Sequence, residues 1–406
     1  MTPSGTTPTA AYRDSNVLRW ASAYTASVSG DVVFFLTLSW AVTRIAGPAQ
    51  VGAVLAVGAV PRALLMLVGG VIADRYGPRR VVIGSDFARC VIIACTAALI
   101  QFTAGGLPIL YAVALVFGVI DALFMPAVGA LAGRLTDPGQ LGRVQGLRVL
   151  AVRVSNAVGP MIAAIVLTAA GVAAGFGLAG LLFSLSFGLL LAVRLNRGQT
   201  AERSTGSPLD DLRDGLRYLR RNRQLARLVV VVGLSELCFS GPVGIGLVLL
   251  TAERHWGPAI LGWALSVFSI GGAVTGILLT ALAHVPRAGV ALVGALTATA
   301  VLIGALGQVT AASALIVGSA ALGTISGAAM AIGNALLQRT TEPRYLGRVG
   351  SVTSLCTLGL SPLLYPVSGL IAAAWGTGVF FAGCALVCLL AGFTAATAKA
   401  IRDSEL

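Results

Sequence analysis

Apolar residues run along this chain in long blocks, each closed by a short polar stretch. About 20 apolar residues in a helix span a bilayer core. Twelve blocks reach that length: 17–43, 50–73, 81–101, 107–133, 144–170, 172–193, 228–252, 259–283, 288–307, 312–338, 348–374 and 376–397. The pattern predicts an all-α membrane protein of twelve transmembrane helices. It divides the chain into an N-terminal tail (1–16), six spans (17–193), a polar linker (194–227), six further spans (228–397) and a C-terminal tail (398–406).

Composition agrees. The chain is 57% hydrophobic and 11% charged, against roughly 25% charged for soluble domains. The net charge of +13 does not point to nucleic acid, because the basic residues crowd the short loops beside the spans. With the N-terminus inside, the tails and even-to-odd loops, with Arg19 and Arg348 at the adjoining span ends, hold 22 of the 28 Lys and Arg, and the opposite loops hold only Arg44 and Arg254. The positive-inside rule then puts both termini in the cytoplasm. The tail before the first span lacks the short apolar region and cleavage site of a signal peptide, so that span is expected to remain.

Other residue classes narrow the chemistry. Cys90, Cys95, Cys238, Cys356, Cys384 and Cys388 lie in apolar spans without metal-ligand spacing and read as packing residues. His255 and His284 are loop residues, which excludes a multi-histidine metal site. Lys399 is the only lysine, so the chain has no phosphate-binding loop. An ATP motor built on such a loop is excluded. No nucleophile–base constellation or cofactor motif suggests an enzyme. Membrane lipids are the expected surroundings of the spans, with no nucleic acid and no obligate protein partner.

The two halves repeat. Ala130, Leu131, Arg134, Thr136, Pro138, Leu141, Gly142, Arg143 and Val144 recur unchanged 205 positions later, within 335–349, and Asp137 meets Glu342. Both copies join the fourth span of a half to its fifth, so the halves read as six-helix bundles in the same orientation. In the linker, Ser207 is a helix cap candidate, with Pro208, Asp210 and Asp211 in the first turn. Leu209, Leu212, Leu216 and Leu219 then share a face, and Arg213, Arg217, Arg220 and Arg221 lie largely elsewhere. This is either an amphipathic helix on the inner membrane surface or a solvated charged tether.

Asp31, Asp86, Asp121 and Glu236 fall within spans. Each costs several kcal/mol there unless protonated, paired or wet, which makes them functional candidates. Asp86 is the weakest candidate, with Arg89 three residues on as a local partner. Trp20, Tyr24, Ser27 and Asp31 form a polar and aromatic stripe, and Arg62 shares the depth of Asp31. The Asp31–Arg62 pair either loads and releases protons or locks two helices. Asp121 with Arg153 is read as either transport chemistry or structure. Glu236, with Ser240 one turn on, is a protonatable acid or a cation contact.

Between the second and third spans, Gly70, Asp74, Arg75, Gly77, Arg79 and Arg80 stand in the pattern Gly-x-x-x-Asp-Arg-x-Gly-x-Arg-Arg. This resembles the signature loop of the major facilitator superfamily of secondary transporters. Asn156, Gly159 and Pro160 resemble the fifth-helix motif of its proton antiporters, although Ser155 and Ala163 replace outer glycines. The fourth span has Asp121 and lacks the mid-span Arg of many drug antiporters. Gly30-Asp31, Pro126-Ala127, Gly347-Arg348-Val349 and the linker's Gly215-Leu-Arg-Tyr-Leu-Arg resemble the bacterial drug/macrolide-efflux and enterobactin-exporter branch. The resemblance implies two rocking six-helix bundles in the bacterial plasma (inner) membrane. It also implies proton-coupled export of a drug, antibiotic or siderophore. Asp31 and Glu236 would serve proton coupling, and Tyr24, Arg62, Asp121, Arg153 and Asn156 the substrate cavity. The signature loop would be a gate, with Asp74 capping a helix end or pairing with Arg, and Gly159–Pro160 a hinge. A metabolite importer of the same fold and a non-transporting membrane sensor are the alternatives.

Overall fold

The structure, a computed structural model, describes residues 14–102, 106–132, 135, 138–193, 208–281, 286–402 and 404. Most of the N-terminal tail, Arg134, Thr136, Asp137, linker residues 194–207 with Ser207, and His284 lie outside them, as do the side chains of Leu209, Asp210, Asp211, Leu212 and Cys356.

Every regular element among the described residues is helical, and ten of the helices are long and apolar enough to cross a membrane. In the first half these are α1 (Ser15–Ile45), α2 (Pro48–Tyr76), α3 (Pro78–Phe102), α4 (Leu107–Ala132) and α5 (Leu141–Leu191). A linker helix, α6 (Pro208–Arg221), follows. The second half comprises α7 (Arg223–Gly241), α8 (Leu247–Glu253), α9 (Gly257–Ala281), α10 (Ala288–Leu306), α11 (Ala312–Thr340), α12 (Leu346–Thr397) and the short α13 (Lys399–Arg402).

The stretches 144–170 and 172–193 are joined into α5, whose 51 residues would reach about 75 Å if straight, more than twice a bilayer core. Gly171 breaks it, at φ 78° and ψ −171°, a region open essentially to glycine alone. The chain folds back there. Ser155 bonds the Thr25 carbonyl and Ser29, while Ser186, on the far side of the break, reaches Asp86, which Ser27 also contacts. In the same way 348–374 and 376–397 are joined into α12 across Gly376, at φ 83° and ψ 165°.

Gly171 and Gly376 are 205 residues apart, as are the first residues of α5 and α12, Leu141 and Leu346. The repeat therefore extends well beyond the fifteen residues that reveal it in the sequence. Packing repeats as well. The α2–α4 contact recurs as α9–α11, α3–α5 as α10–α12, and α1–α5 as α7–α12. At Gly118 an added Cβ would stand 2.0 Å from the Gly58 carbonyl oxygen, and at Gly323, again 205 residues later, 2.0 Å from that of Phe268. Each half uses a glycine at the same place to bring two helix backbones into contact.

Two expectations need correction. The seventh stretch, 228–252, begins earlier, at Arg223, because the Asn222 side chain caps the helix by accepting from the Leu225 amide at 3.1 Å. It is also interrupted by a π-helical segment, Pro242–Gly246, where Pro242 has no N–H to give. The linker helix forms and is not a free tether. It packs on the start of α12, with Tyr218 stacked on Tyr345 at 4.0 Å and Asp214 3.5 Å from Arg348. Leu219 is buried there, whereas Leu216 stays exposed.

The halves are in backbone contact near one face. Here the face where α2 ends and α3 begins is the loop face, and the other is the far face. Near the far face a Cβ on Gly52 would lie 2.3 Å from the Tyr365 carbonyl oxygen. One on Gly369 would lie 2.6 Å from that of Pro48, and one on Gly262 2.6 Å from that of Pro160. These contacts close the far face backbone against backbone.

Candidate functional site

Two sites carry charge inside the spans. The first is an ion cluster in the N-terminal half, centred on Arg89 of α3, which is fully buried. Its Nη1 donates to Ser27 Oγ at 3.1 Å and to Asp86 Oδ1 at 3.4 Å, and its Nη2 donates to Asp121 Oδ1. Asp31 Oδ1 lies 3.7 Å from Nη1. Arg62 of α2 reaches the other oxygen of Asp121 at 3.3 Å. The guanidinium of Arg89 also lies over Phe124 at 4.0 Å, with Phe117 and Phe183 at 5.2 and 5.3 Å, so aromatic faces hold the cation where carboxylates do not. Asp86 is satisfied by hydroxyls, accepting from Ser27 and Ser186.

The cluster contains three carboxyls and two guanidiniums. Fully ionised, it would bury one uncompensated negative charge, at a cost of several kcal/mol. A single proton held on one carboxyl removes it. Asp31 is the least held of the three. Its ion-pair distance is the longest, and its Oδ1 is buried without a hydrogen-bond partner.

The second site is a cavity of about 510 Å³ between the halves, within the size range of small-molecule sites. Arg153 and Asn156 of α5 line one wall, and Glu236 and Ser240 of α7 stand on the other half. Phe268, Ser269, Ser326, Met330 and Asn334 add apolar and hydrogen-bonding surface from α9 and α11. Asn334 also lines a second cavity of about 420 Å³ that continues past Gln338 and Thr341 to Leu346, at the loop-face ends of α11 and α12. The two cavities share Asn334, so their linings run from the centre toward the loop face, while backbone contacts join the halves near the far face.

These positions revise the pairings read from the sequence. Asp31 meets Arg89, not Arg62, because Arg62 turns to Asp121. Asp121 is paired with Arg89 and Arg62, not with Arg153, which opens onto the cavity. Asp86 and Arg89, taken as a local pair of little weight, form the middle of the cluster. The signal for it was an arginine in an apolar span with no water within reach. Tyr24 lies away from the cavity, stacked on Trp20 and beneath Arg148. Arg153, Asn156 and Glu236 come together around one space. Gly159 packs on Val32 of α1 and Pro160 on Gly262 of α9, both without interrupting the helix.

In the signature loop Gly77 ends α2 at φ 88°, a value glycine adopts without strain, and α3 starts at the next residue. Arg79 donates to the last carbonyl of α5, that of Leu191, at 3.1 Å. Asp74 neither caps a helix nor pairs with an arginine among the described residues. The last turn of α2 leaves it exposed at the loop face.

A family model described as Major Facilitator Superfamily matches residues 20–251. Enterobactin exporters EntS of Citrobacter koseri and Escherichia coli are each 25% identical to the chain over 342 residues, which covers 80% of this chain and 79% of theirs. Among solved structures, a mutant of the nucleoside transporter NupG superposes with a TM-score of 0.72 at 12% identity, covering 94% of this chain and 99% of its own. The POT family transporter PepTSo does so with 0.69 at 11% identity, covering 95% and 98%. With the family match spanning more than half of the chain and the helical fold shared with transporters, the chain belongs to the Major Facilitator Superfamily of membrane transporters.

Proposed function

We propose that the protein is a proton-coupled antiporter that exports hydrophobic or amphipathic small molecules across the bacterial plasma (inner) membrane. In this reading twelve spans form two six-helix bundles, 17–193 and 228–397, with both termini and the loop face in the cytoplasm. The helix breaks at Gly171 and Gly376 supply the two spans beyond the ten helices long enough to cross. The cavity then opens toward the loop face, in the state that receives solute from inside. Parting of the glycine contacts at the far face would release it, with Gly159–Pro160 easing the rocking and Asp74 and Arg75 closing the loop face.

The observation that carries proton coupling is the excess acid of the Arg89 cluster. Asp31, the loosest carboxyl, is the proton carrier, Arg62 and Arg89 set how tightly it holds the proton, and Glu236 is the second acid that solute or proton reaches. One proton crossing 100 mV releases about 2.3 kcal/mol, and tenfold accumulation costs about 1.4 kcal/mol. A single proton per cycle thus sustains a gradient of a few tens-fold. The similarity to exporters supports the outward direction.

The experiment follows ethidium and macrolide accumulation in efflux-deficient bacteria expressing wild type or Asp31→Asn, with and without a protonophore. The expected result is reduced accumulation that disappears with either treatment. Accumulation unchanged by the wild-type protein would remove broad drug export from the proposal, and increased uptake would reverse its direction.

A further inference from the structure

The central cavity carries two charges of opposite sign that the proton cycle does not explain together. Arg153 belongs to the N-terminal half and Glu236 to the C-terminal half, and both line the same space. Neither has an ion-pair partner among the described residues, in contrast to Arg62, Arg89, Asp31, Asp86 and Asp121, which all do. Arg153 stands twelve residues into α5 and Glu236 thirteen into α7, and both helices rise from the loop face. At 1.5 Å per residue they sit about 18 and 20 Å deep, on one level.

Arg153 is exposed on the cavity wall and Glu236 half-buried, so both charges are open to whatever polar group enters the space, and charged side chains inside spans mark such solute paths. A purely anionic solute would satisfy Arg153 and leave Glu236 opposed. A purely cationic one would do the reverse. A dipolar solute, carrying an acid and a protonated amine, satisfies both and adds no net charge to the cavity. The carboxamides of Asn156 and Asn334 supply neutral hydrogen bonds, and Phe239, Phe268 and Met330 cover an apolar body.

We infer that this cavity is a binding site for a zwitterionic solute of drug size, with Arg153 holding its acid and Glu236 its ammonium group. The inference rests on the transporter reading above and names the substrate class of its cavity. Because each charge is mounted on a different half, a bound dipole also ties the two halves together across the cavity.

The test uses three fluorescent fluoroquinolones of nearly one shape: ciprofloxacin (zwitterion), its methyl ester (cation) and its N-acetyl derivative (anion). Binding to the purified protein in nanodiscs is measured by fluorescence anisotropy. The zwitterion is expected to bind at least about tenfold more tightly than either relative. Arg153→Gln should lower the zwitterion to the level of the ester, and Glu236→Gln should lower it to that of the N-acetyl derivative. The double exchange Arg153→Glu with Glu236→Arg should restore much of the preference, which a folding defect would not. Equal binding of all three, binding of none, or equal loss of all three in the single variants would overturn the inference. Charge-selective binding without protonophore-sensitive export would retain the site and remove the antiporter reading. Export without charge selectivity would do the opposite.

Discussion

Removing the guanidinium of Arg89 should destabilise the protein far more than removing that of Arg62. Arg89 has no exposed surface and touches three carboxyls, whereas Arg62 is 28% exposed and, among the described carboxyls, pairs with Asp121 alone. In Arg89→Gln the buried carboxyl of Asp86 loses its cation and Asp121 keeps only Arg62. Removing one partner of a buried pair costs about 3–5 kcal/mol, and the lost contact with three aromatic rings adds about 1 kcal/mol. Protonation of one or more acids offsets part of this, leaving about 4 kcal/mol. With an unfolding entropy of roughly 2.1 cal/mol/K per residue, a chain of 406 residues should lose about 5 °C in Tm. Arg62→Gln should cost about 1 kcal/mol after solvent screening, hence about 1 °C. Adding Asp121→Asn to Arg89→Gln should recover about 1–3 kcal/mol, since the two groups share one network. Tryptophan fluorescence during thermal unfolding in detergent reads all of these. If Arg89→Gln melts no lower than Arg62→Gln, the cluster is not held by Arg89 and the reasoning fails.

The repeat makes paired predictions. Gly118→Ala and Gly323→Ala should each cost about 1–3 kcal/mol by forcing helix backbones apart, read as matching drops in Tm; one tolerated and one not would break the equivalence. Gly171→Ala and Gly376→Ala should each cost about 1–3 kcal/mol because alanine cannot hold those φ and ψ values without strain, and wild-type stability in either would show that the helix break is not needed. In a cysteine-free background Ser269→Cys, which lines the cavity, should react with a membrane-impermeant thiol reagent in inside-out vesicles and much more slowly in right-side-out cells. The reverse ratio would contradict the open side assigned to the loop face.

Much of the architecture was legible because membrane burial writes itself in block lengths. Stretch boundaries fell at residues 171 and 375, and the helix breaks are at Gly171 and Gly376. The fifteen-residue repeat gave the offset that glycines 118 and 323 obey. Pairing of charges was not legible, for a physical reason. Depth along a helix follows from counting residues, but direction around it depends on which neighbours pack against it. Asp31 and Arg62 do share a depth, yet α3 inserts Arg89 beside Asp31, and Arg62 turns to α4. The docking of α6 on α12 was equally hidden. A stripe of leucines states that a face must be covered, whereas the stacked Tyr218 and Tyr345 at the docking contact lie 127 positions apart. Arg153, Asn156 and Glu236 were singled out separately, and only the contact between halves brings them around one cavity.

Proton movement through Asp31 is the central claim, and it is measured most directly in proteoliposomes enclosing a pH-sensitive dye. An ethidium gradient imposed across wild-type vesicles should drive protons in the opposite direction, abolished in Asp31→Asn although that variant still binds ethidium. Proton flux that persists in Asp31→Asn, or ethidium movement with no proton flux in the wild type, would contradict the account.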